Sequence, residues 1–242
     1  MNAPIVAIDA GNTRIKWGVY GDGRWIDKGV VPTAEPGRLH EALSRWPAGA
    51  RVVICNVAGA SVRDALGAAL QETFSDVLWF SATVAVCGVQ SAYDVPEQLG
   101  ADRWAALIGA RGQTAAACLV VCAGTATTVD LLDASGMFCG GLILPGFDLM
   151  RAALARDTAQ LPLAEGEFQR LPRNTMDAII SGCVQAQAGA VERMFTAIAG
   201  EPDAVCLLTG GAAPRLLPHL AIPLCVSENL ILDGLVRYAA SR

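Results

Sequence analysis

The stretch IDAGNTRIKWG, residues 8–18, carries the features on which the prediction of the fold depends. An apolar run at 5–8 ends in Asp9, and Gly11, Asn12 and Thr13 separate it from a second segment of alternating character. This pattern predicts two strands joined as a β-hairpin. A plain turn with asparagine and glycine is one interpretation. The other is a ligand site, because a turn alone does not need the carboxylate.

The same order of features recurs 113 residues later, in LVVCAGTATTVDLLD at 119–133. This shift places Gly11 on Gly124 and Asn12 on Thr125, whereas Asp9 falls on Cys122. Each half continues with helices that alternate with strands. A repeat of this length is too long for a solenoid, so we expect an α/β protein built from two copies of one domain, with the ligand in the cleft between them. The predicted domains are 1–116 and 117–242.

Helical spacing of apolar residues predicts the main helices of both halves. They are expected at 36–46, 62–73, 101–112, 147–156, 174–199, 212–217 and 228–240.

The composition favours a compartment such as the cytoplasm. The 242 residues are 53% hydrophobic and carry a formal net charge of -5, with no basic run of the kind that binds nucleic acid. The eight cysteines form no CxxC pair and most lie in apolar runs, which indicates reduced core thiols rather than a disulfide framework. The N-terminus lacks a signal-peptide pattern, and no apolar run is long enough to span a membrane.

Two polar turns have the chemistry of a phosphate site. Gly11 lets backbone N–H groups approach an anion, and Lys16 adds positive charge. Asp9 can hold Mg²⁺ through water, because Mg²⁺ prefers one or two carboxylates together with phosphates. GTATT at 124–128 supplies a second set of donors, and no GxxxxGK[ST] loop is present. The glycine pairs in GGLILPG (140–146) and LTGGAAP (208–214) fit either a ligand contact or an ordinary turn.

GADRW at 100–104 supplies a candidate base. Asp102 lies at a predicted helix start, where a carboxylate is favoured as a cap. Alternatively, Asp102 is a general base beside Arg103, which can bind an anionic substrate or a transferring phosphoryl group.

Taken together, five segments resemble the type III pantothenate kinases, members of the acetate kinase, sugar kinase and actin superfamily, and in particular their Bvg accessory factor branch. The segments are DAGNTRIK (9–16), GADR (100–103), GTATT (124–128), GGLILPG (140–146) and NTMDAIISG (174–182). The resemblance implies duplicated actin-like, that is ribonuclease H-like, domains with an ATP cleft between them. It also implies a homodimeric cytoplasmic enzyme that uses ATP to phosphorylate pantothenate, the first step towards coenzyme A.

The resemblance also implies roles for individual residues. Asp102 would be the catalytic base, Asp9 would hold Mg²⁺, and Thr175 would contact pantothenate. The residues implied to bind ATP and its phosphates are Asp9, Ala10, Gly11, Asn12, Thr13, Arg14, Ile15, Lys16 and Thr125. Those implied to line the pantothenate pocket are Tyr93, Gly100, Ala101, Asp102, Arg103 and Thr175.

Cys122 departs from the family pattern. Many relatives have an aspartate here that binds a monovalent cation, K⁺ or NH₄⁺. A thiol is mostly uncharged at neutral pH and is a poor ligand for a hard cation. Either the cation is dispensable in this chain, or another group such as Asp130 supplies the charge.

Two other functions fit the same fold. One is a non-catalytic, nucleotide-binding regulatory protein, and the other is a sugar kinase or an exopolyphosphatase. The presence of Asp9, Asp102, Arg103 and Thr125 favours the pantothenate kinase, because a regulator needs no base.

Overall fold

The computed structural model describes residues 3–242. The strands are β1 (Ile5–Ala10), β2 (Arg14–Gly21), β3 (Arg24–Pro32), β4 (Arg51–Asn56), β5 (Val77–Phe80), β6 (Ala85–Val86), β7 (Val89–Ser91), β8 (Cys118–Ala123), β9 (Ala126–Leu132), β10 (Met137–Pro145), β11 (Val205–Thr209) and β12 (Leu224–Val226). The α-helices are α1 (His40–Leu43), α2 (Ala60–Gln71), α3 (Ala101–Gln113), α4 (Phe147–Asp157), α5 (Thr175–Phe195), α6 (Ala213–Leu216) and α7 (Leu230–Ala240). Short 3-10 helices span Pro36–Leu39, Pro96–Gln98 and Leu217–His219.

The first of two compact units contains the chain up to Gln113 together with 229–242. Its sheet has the order β3-β2-β1-β4-β5, in which β1, β2 and β3 are antiparallel and β4 and β5 run parallel to β1. Ile8 and other residues on one face of β1 join an apolar cluster with α2. Because side chains alternate along a strand, Asp9 points to the other face, and α7 packs against β1, β2 and β4.

The second unit, 114–228, repeats this arrangement. Its strands follow the order β10-β9-β8-β11-β12, with β8, β9 and β10 antiparallel and β11 and β12 parallel to β8. Val129 of β9 and Val191 of α5 belong to the apolar cluster on one face. Each unit therefore has three antiparallel strands followed by parallel strands and helices, which confirms the duplicated α/β fold predicted from the 113-residue shift.

The division of the chain differs from the predicted boundary at 116/117 in two respects: the break falls after Gln113, and 229–242 belong to the first unit. Three contacts fasten α7 there. Trp25 Nε1 donates to Asp233 Oδ1 at 2.9 Å, Arg51 Nη1 donates to the Ala239 carbonyl at 2.9 Å, and the Phe80 and Tyr238 rings meet edge to face. The C-terminal helix belongs with the first half because its partners lie there, which a division by chain order cannot reveal.

The crossing of α3 and α7 depends on glycines. A methyl group on Gly109 would collide with the Leu230 carbonyl oxygen, and one on Gly234 with the Ala105 carbonyl oxygen. We expect Gly109→Ala to lower the free energy of unfolding by about 1–3 kcal/mol, because the helices must move apart. Urea denaturation measures this change.

Gly189→Ala is the matched control, since a methyl group there would meet nothing within 4 Å. That variant should gain about 0.5–1 kcal/mol from the higher helix propensity of alanine. An equal change in both variants would contradict the tight crossing.

Several details differ from the sequence predictions. The helix expected at 36–46 is a 3-10 turn followed by four α-helical residues, and Pro47 disfavours its continuation. The hairpin β6-β7 was not predicted from the sequence. Cys139 and Cys225 are exposed rather than buried in the core, although all eight cysteines are free. Within residues 3–242, no helix is both long and apolar enough to cross a membrane.

Candidate active site

Asp9 is the next-to-last residue of β1, and its neighbours create a perturbed carboxyl group. Lys16 of β2 and Cys55 of β4 stand directly opposite it in the sheet. The Asp9 residue is only 7% exposed. Burial, reinforced by repulsion from Asp102 and opposed by Lys16, raises the pKa of Asp9 to about 7. Burial raises the pKa of the Cys55 thiol, and the charges of Asp9 and Asp102 raise it further. Both charges therefore act on one region of the first unit.

Asp102 is the second residue of α3, and its setting explains the glycine before it. The first helical hydrogen bond runs from Trp104 N to the Gly100 carbonyl at 3.0 Å. Asp102 Oδ1 accepts from Arg103 N at 2.8 Å and lies so close to Gly100 that a methyl group there would be 2.7 Å away. Burial raises the pKa of Asp102, whereas the Arg103 backbone N–H and guanidinium partly offset the effect. A carboxyl group with a raised pKa beside a cation suits proton transfer.

Arg103 is a buried cation, with only 5% of its surface exposed. Its Nη1 donates to Tyr93 Oη at 3.0 Å. The Tyr93 backbone N–H in turn donates to Ser91 Oγ at 3.3 Å, at the end of β7. The structure thus joins the Tyr93 segment to GADR at 100–103, ten residues apart in the chain. A guanidinium held in this way can bind an oxyanion in a fixed direction.

The turn after β1 is held by a residue that the sequence analysis missed. Thr33 Oγ1 donates to the Gly11 carbonyl at 2.6 Å, and Thr33 N donates to the Thr13 carbonyl at 3.0 Å. The Gly11 N–H donates to the Arg14 carbonyl at 3.1 Å and closes the turn. The 113-residue shift contained a signal for Thr33, because it places this residue on Gly146.

The side chains of the predicted phosphate segment divide between core and solvent. Asn12, Thr13 and Arg14 are exposed, whereas Ala10 and Ile15 are fully buried in the apolar cluster with α2. The latter two can therefore take part in binding only through their backbone.

In the second unit, three glycine-containing segments meet at the end of β8. Gly124 N donates to the Ala126 carbonyl at 3.0 Å and closes the turn that carries Thr125. Gly146 N donates to the Thr125 carbonyl at 2.9 Å. A methyl group on Gly146 would collide with the Gly124 and Thr125 carbonyl oxygens, and one on Gly210 with that of Ala123. These close approaches explain Gly146 of GGLILPG and Gly210 of LTGGAAP, and Thr125 is exposed.

Cys122 occupies the same place on β8 as Asp9 does on β1, and the residues opposite it on the two neighbouring strands carry hydroxyl groups. Thr128 of β9 and Thr209 of β11 stand opposite it in register. Asp130 is fully buried on the same strand as Thr128, opposite Val120 and one pleat further from the turn. Among residues 3–242, no group of three or more His, Cys, Asp or Glu side chains could hold a metal ion.

Thr175 is the exposed first residue of α5, and the residues around it hold the helix start in place. Asn174 caps the helix by accepting from Asp177 N at 2.9 Å. Asp177 Oδ1 also accepts from Glu167 N at 2.9 Å, which fastens the preceding loop. The NTMD pattern is therefore a helix cap that presents Thr175.

The structure brings one group of predicted residues together within the first unit, namely Asp9, Lys16, Tyr93, Gly100, Ala101, Asp102 and Arg103. Thr125 and Thr175 belong to the second unit.

Comparisons with known proteins are consistent with this arrangement. A family model described as type III pantothenate kinase matches residues 5–197. The protein named type III pantothenate kinase from Aromatoleum aromaticum is 58% identical over 231 residues, covering 96% of both chains. The one from Azoarcus sp. is 51% identical over 239 residues, covering 98% of this chain and 91% of that protein.

Two solved structures are similar in fold alone. Component A of (R)-2-hydroxyglutaryl-CoA dehydratase from Acidaminococcus fermentans has a TM-score of 0.54 at 14% identity, covering 99% of this chain and 97% of that chain. MreB5 of Spiroplasma citri bound to ADP has a TM-score of 0.55 at 11% identity, with the same two coverages.

Proposed function

The chain belongs to the type III pantothenate kinase family, and from that premise we propose that it transfers the terminal phosphoryl group of ATP to the primary hydroxyl of pantothenate, the first step towards coenzyme A. The observation that carries the proposal is the placement of the buried Asp9 carboxyl group and the half-buried Asp102 carboxyl group in one unit, with Arg103 next to Asp102. Phosphoryl transfer requires such positioning, charge neutralisation and a proton acceptor.

Asp102 is assigned the role of general base. The pantothenate oxygen forms a bond to the terminal phosphorus, the bond from phosphorus to the bridging oxygen breaks, and ADP leaves with the electron pair. The hydroxyl proton passes to a carboxylate oxygen of Asp102. The raised pKa of Asp102 increases its affinity for that proton, and the contact with Arg103 N fixes its direction.

Arg103 and Tyr93 are assigned to the pantothenate pocket. Pantothenate carries a carboxylate, and a buried guanidinium held by the Tyr93 hydroxyl is suited to an anionic group. Gly100 and Ala101 shape the pocket at the start of α3, and Thr175 is assigned to the same substrate. Whether Thr175 acts within its own protomer or towards a partner depends on the homodimer, which we also propose.

Asp9 fits a Mg²⁺ site. Asp102 repels the charge on the buried Asp9 carboxyl group, and a divalent cation would relieve this repulsion. Mg²⁺ is usually bound by one or two protein carboxylates, and phosphate and water oxygens supply its other ligands. Asp9 matches that pattern. Bound there, the ion would neutralise charge on the phosphates of ATP. Lys16, the turn at 11–14 and Thr125 are assigned to those phosphates.

Exposed apolar side chains on the second unit, including Ile143, Leu149 and Leu171, support the homodimer. Sedimentation equilibrium would test it, and a monomer at micromolar concentration would contradict it. The family membership also leads us to propose a cytoplasmic location, which fractionation of the cells would test.

An assay that couples ADP release to a spectroscopic signal tests the function directly. We expect ADP release only when both MgATP and pantothenate are present, with phosphopantothenate as the second product. Nucleotide binding without turnover would instead favour the non-catalytic regulator. Turnover with a sugar, or with polyphosphate, would favour the other members of the superfamily.

We expect this chain to work without a monovalent cation. Cys122 and its neighbours Thr128 and Thr209 offer no carboxylate at the place where many relatives have one, so this donor set does not fit K⁺ or NH₄⁺. The rate should be equal in Na⁺ buffer and in K⁺ buffer, and Cys122→Asp should introduce a K⁺ response. A large K⁺ dependence of the unaltered protein would refute this prediction and would favour Asp130 as the source of charge.

A further inference from the structure

A buried hydrogen bond joins the second phosphate turn to the longest helix. Thr127 Oγ1 donates to Gln187 Oε1 at 2.7 Å, and both residues are almost completely inaccessible, at 0% and 1% exposure. The Gln187 amide Nε2 lies 3.6 Å from the Met150 sulfur, a weak acceptor. Buried apolar residues stand near the pair along both elements: Val129 and Val191 belong to one cluster on this unit, and Val184 belongs to another.

The Thr127–Gln187 hydrogen bond lies in the interior of the second unit, next to the turn at 124–126. Thr127 follows Thr125 by two residues at the start of β9, Gln187 lies on α5, and Met150 lies on α4. The helix α4 begins directly after Gly146, whose N–H holds the Thr125 carbonyl. Two hydrogen bonds therefore hold the turn at 124–126 and the start of β9: the backbone bond from Gly146 N and the buried side-chain bond between Thr127 and Gln187.

Stability alone does not call for this arrangement. Replacing both partners of a buried hydrogen bond by apolar groups of similar shape is nearly neutral, whereas leaving one partner unpaired is destabilising. A satisfied polar pair in an apolar core does, however, restrict the packing to one geometry.

We propose that Thr127 and Gln187 are positioning residues, which fix the 124–126 turn for the phosphates of ATP without touching the nucleotide. The inference rests on the proposed function, because that function assigns Thr125 to those phosphates. A shift of the turn by a fraction of an ångström weakens phosphate contacts and leaves Tyr93 and residues 100–103, the pantothenate residues of the first unit, untouched.

The test separates positioning from stability by means of a double variant. Thr127→Val and Gln187→Met should each lower the melting temperature, because each leaves a buried partner unpaired. The double variant should melt close to the unaltered protein. Its KM for ATP and its Kd for a non-hydrolysable ATP analogue should nevertheless rise roughly fivefold or more, with KM for pantothenate unchanged.

Two further variants serve as controls. Thr127→Ser keeps the hydroxyl group and should have the same KM for ATP as the unaltered protein. Ser181→Ala removes another buried hydroxyl of α5, which accepts from Gln169 N at 2.9 Å, and should lower the melting temperature with KM for ATP unchanged.

The proposal is overturned if the double variant has the nucleotide affinity of the unaltered protein. If the double variant fails to fold, Thr127→Val is compared with Thr127→Ser, and equal affinities for the analogue in these two also overturn it. Absence of pantothenate-dependent turnover in the unaltered protein would count against the proposed function, whereas the Kd for the analogue would still decide the role of this pair.

Discussion

Replacing Asp102 with asparagine is expected to lower kcat for pantothenate phosphorylation by a factor of about 10²–10⁴, the range for loss of a general base. Asparagine keeps the size and an acceptor oxygen for the Arg103 N–H but cannot take up the hydroxyl proton. Initial rates of ADP release at saturating MgATP and pantothenate measure the change. The Kd for a non-hydrolysable ATP analogue should stay within a few-fold of the original, because Asp102 is not assigned to the nucleotide.

The pH profile provides an independent readout of the same role. A base must be ionised, so kcat of the unaltered protein should rise as the pH increases through the raised pKa of Asp102. The residual activity of Asp102→Asn should lack that rise. Asp64→Asn, an exposed change on α2, is the matched control and should keep both rate and profile. Retention of most of kcat in Asp102→Asn would remove this residue from the mechanism.

Asp9→Asn is expected to stabilise the protein while abolishing its activity. In the absence of Mg²⁺ and nucleotide, the folded carboxyl group has a pKa of about 7 against its ordinary value of 3.8. Between these two values the folded state binds more protons than the unfolded state, so the free energy of unfolding falls as the pH rises. Above about pH 7 the free energy of unfolding has fallen by its full amount, a few kcal/mol, because each pH unit between the two pKa values contributes about 1.4 kcal/mol.

The stabilisation by Asp9→Asn should therefore grow from about zero near pH 4 to its full value at pH 8. Denaturant unfolding in buffers with EDTA measures it, and Asp64→Asn should show no such growth. Adding MgATP should reduce the difference in free energy of unfolding between Asp9→Asn and the unaltered protein at pH 8. The reason is that only the unaltered protein has the carboxylate assigned to the ion. A variant that is less stable at pH 8, or that retains turnover, would contradict the role proposed for Asp9.

Local patterns in the sequence determined much of this protein. The apolar run of β1, the alternation of β2 and the polar turns predicted the first sheet, because each depends on residues that are neighbours in the chain. The 113-residue shift extended this prediction to the second sheet. Asp9, Asp102 and Arg103 were identified as candidates for the same reason: they stand at strand and helix ends within short motifs. The motifs together indicated the family that the comparisons then showed.

Other features depend on contacts between distant segments, and only the tertiary structure decided them. Thr33 reaches back 22 residues to hold Gly11, Gln187 reaches Thr127 across 60, and α7 returns to the first unit because Gly109 and Gly234 let two helices cross closely. Apart from the 113-residue shift that aligns Thr33 with Gly146, no sequence pattern distinguishes these residues from ordinary turn, core or helix positions. The sequence determined which chemical groups stand at the ends of the strands. The fold decided how buried those groups are, and burial, through desolvation, gives Asp9 and Asp102 their raised pKa values.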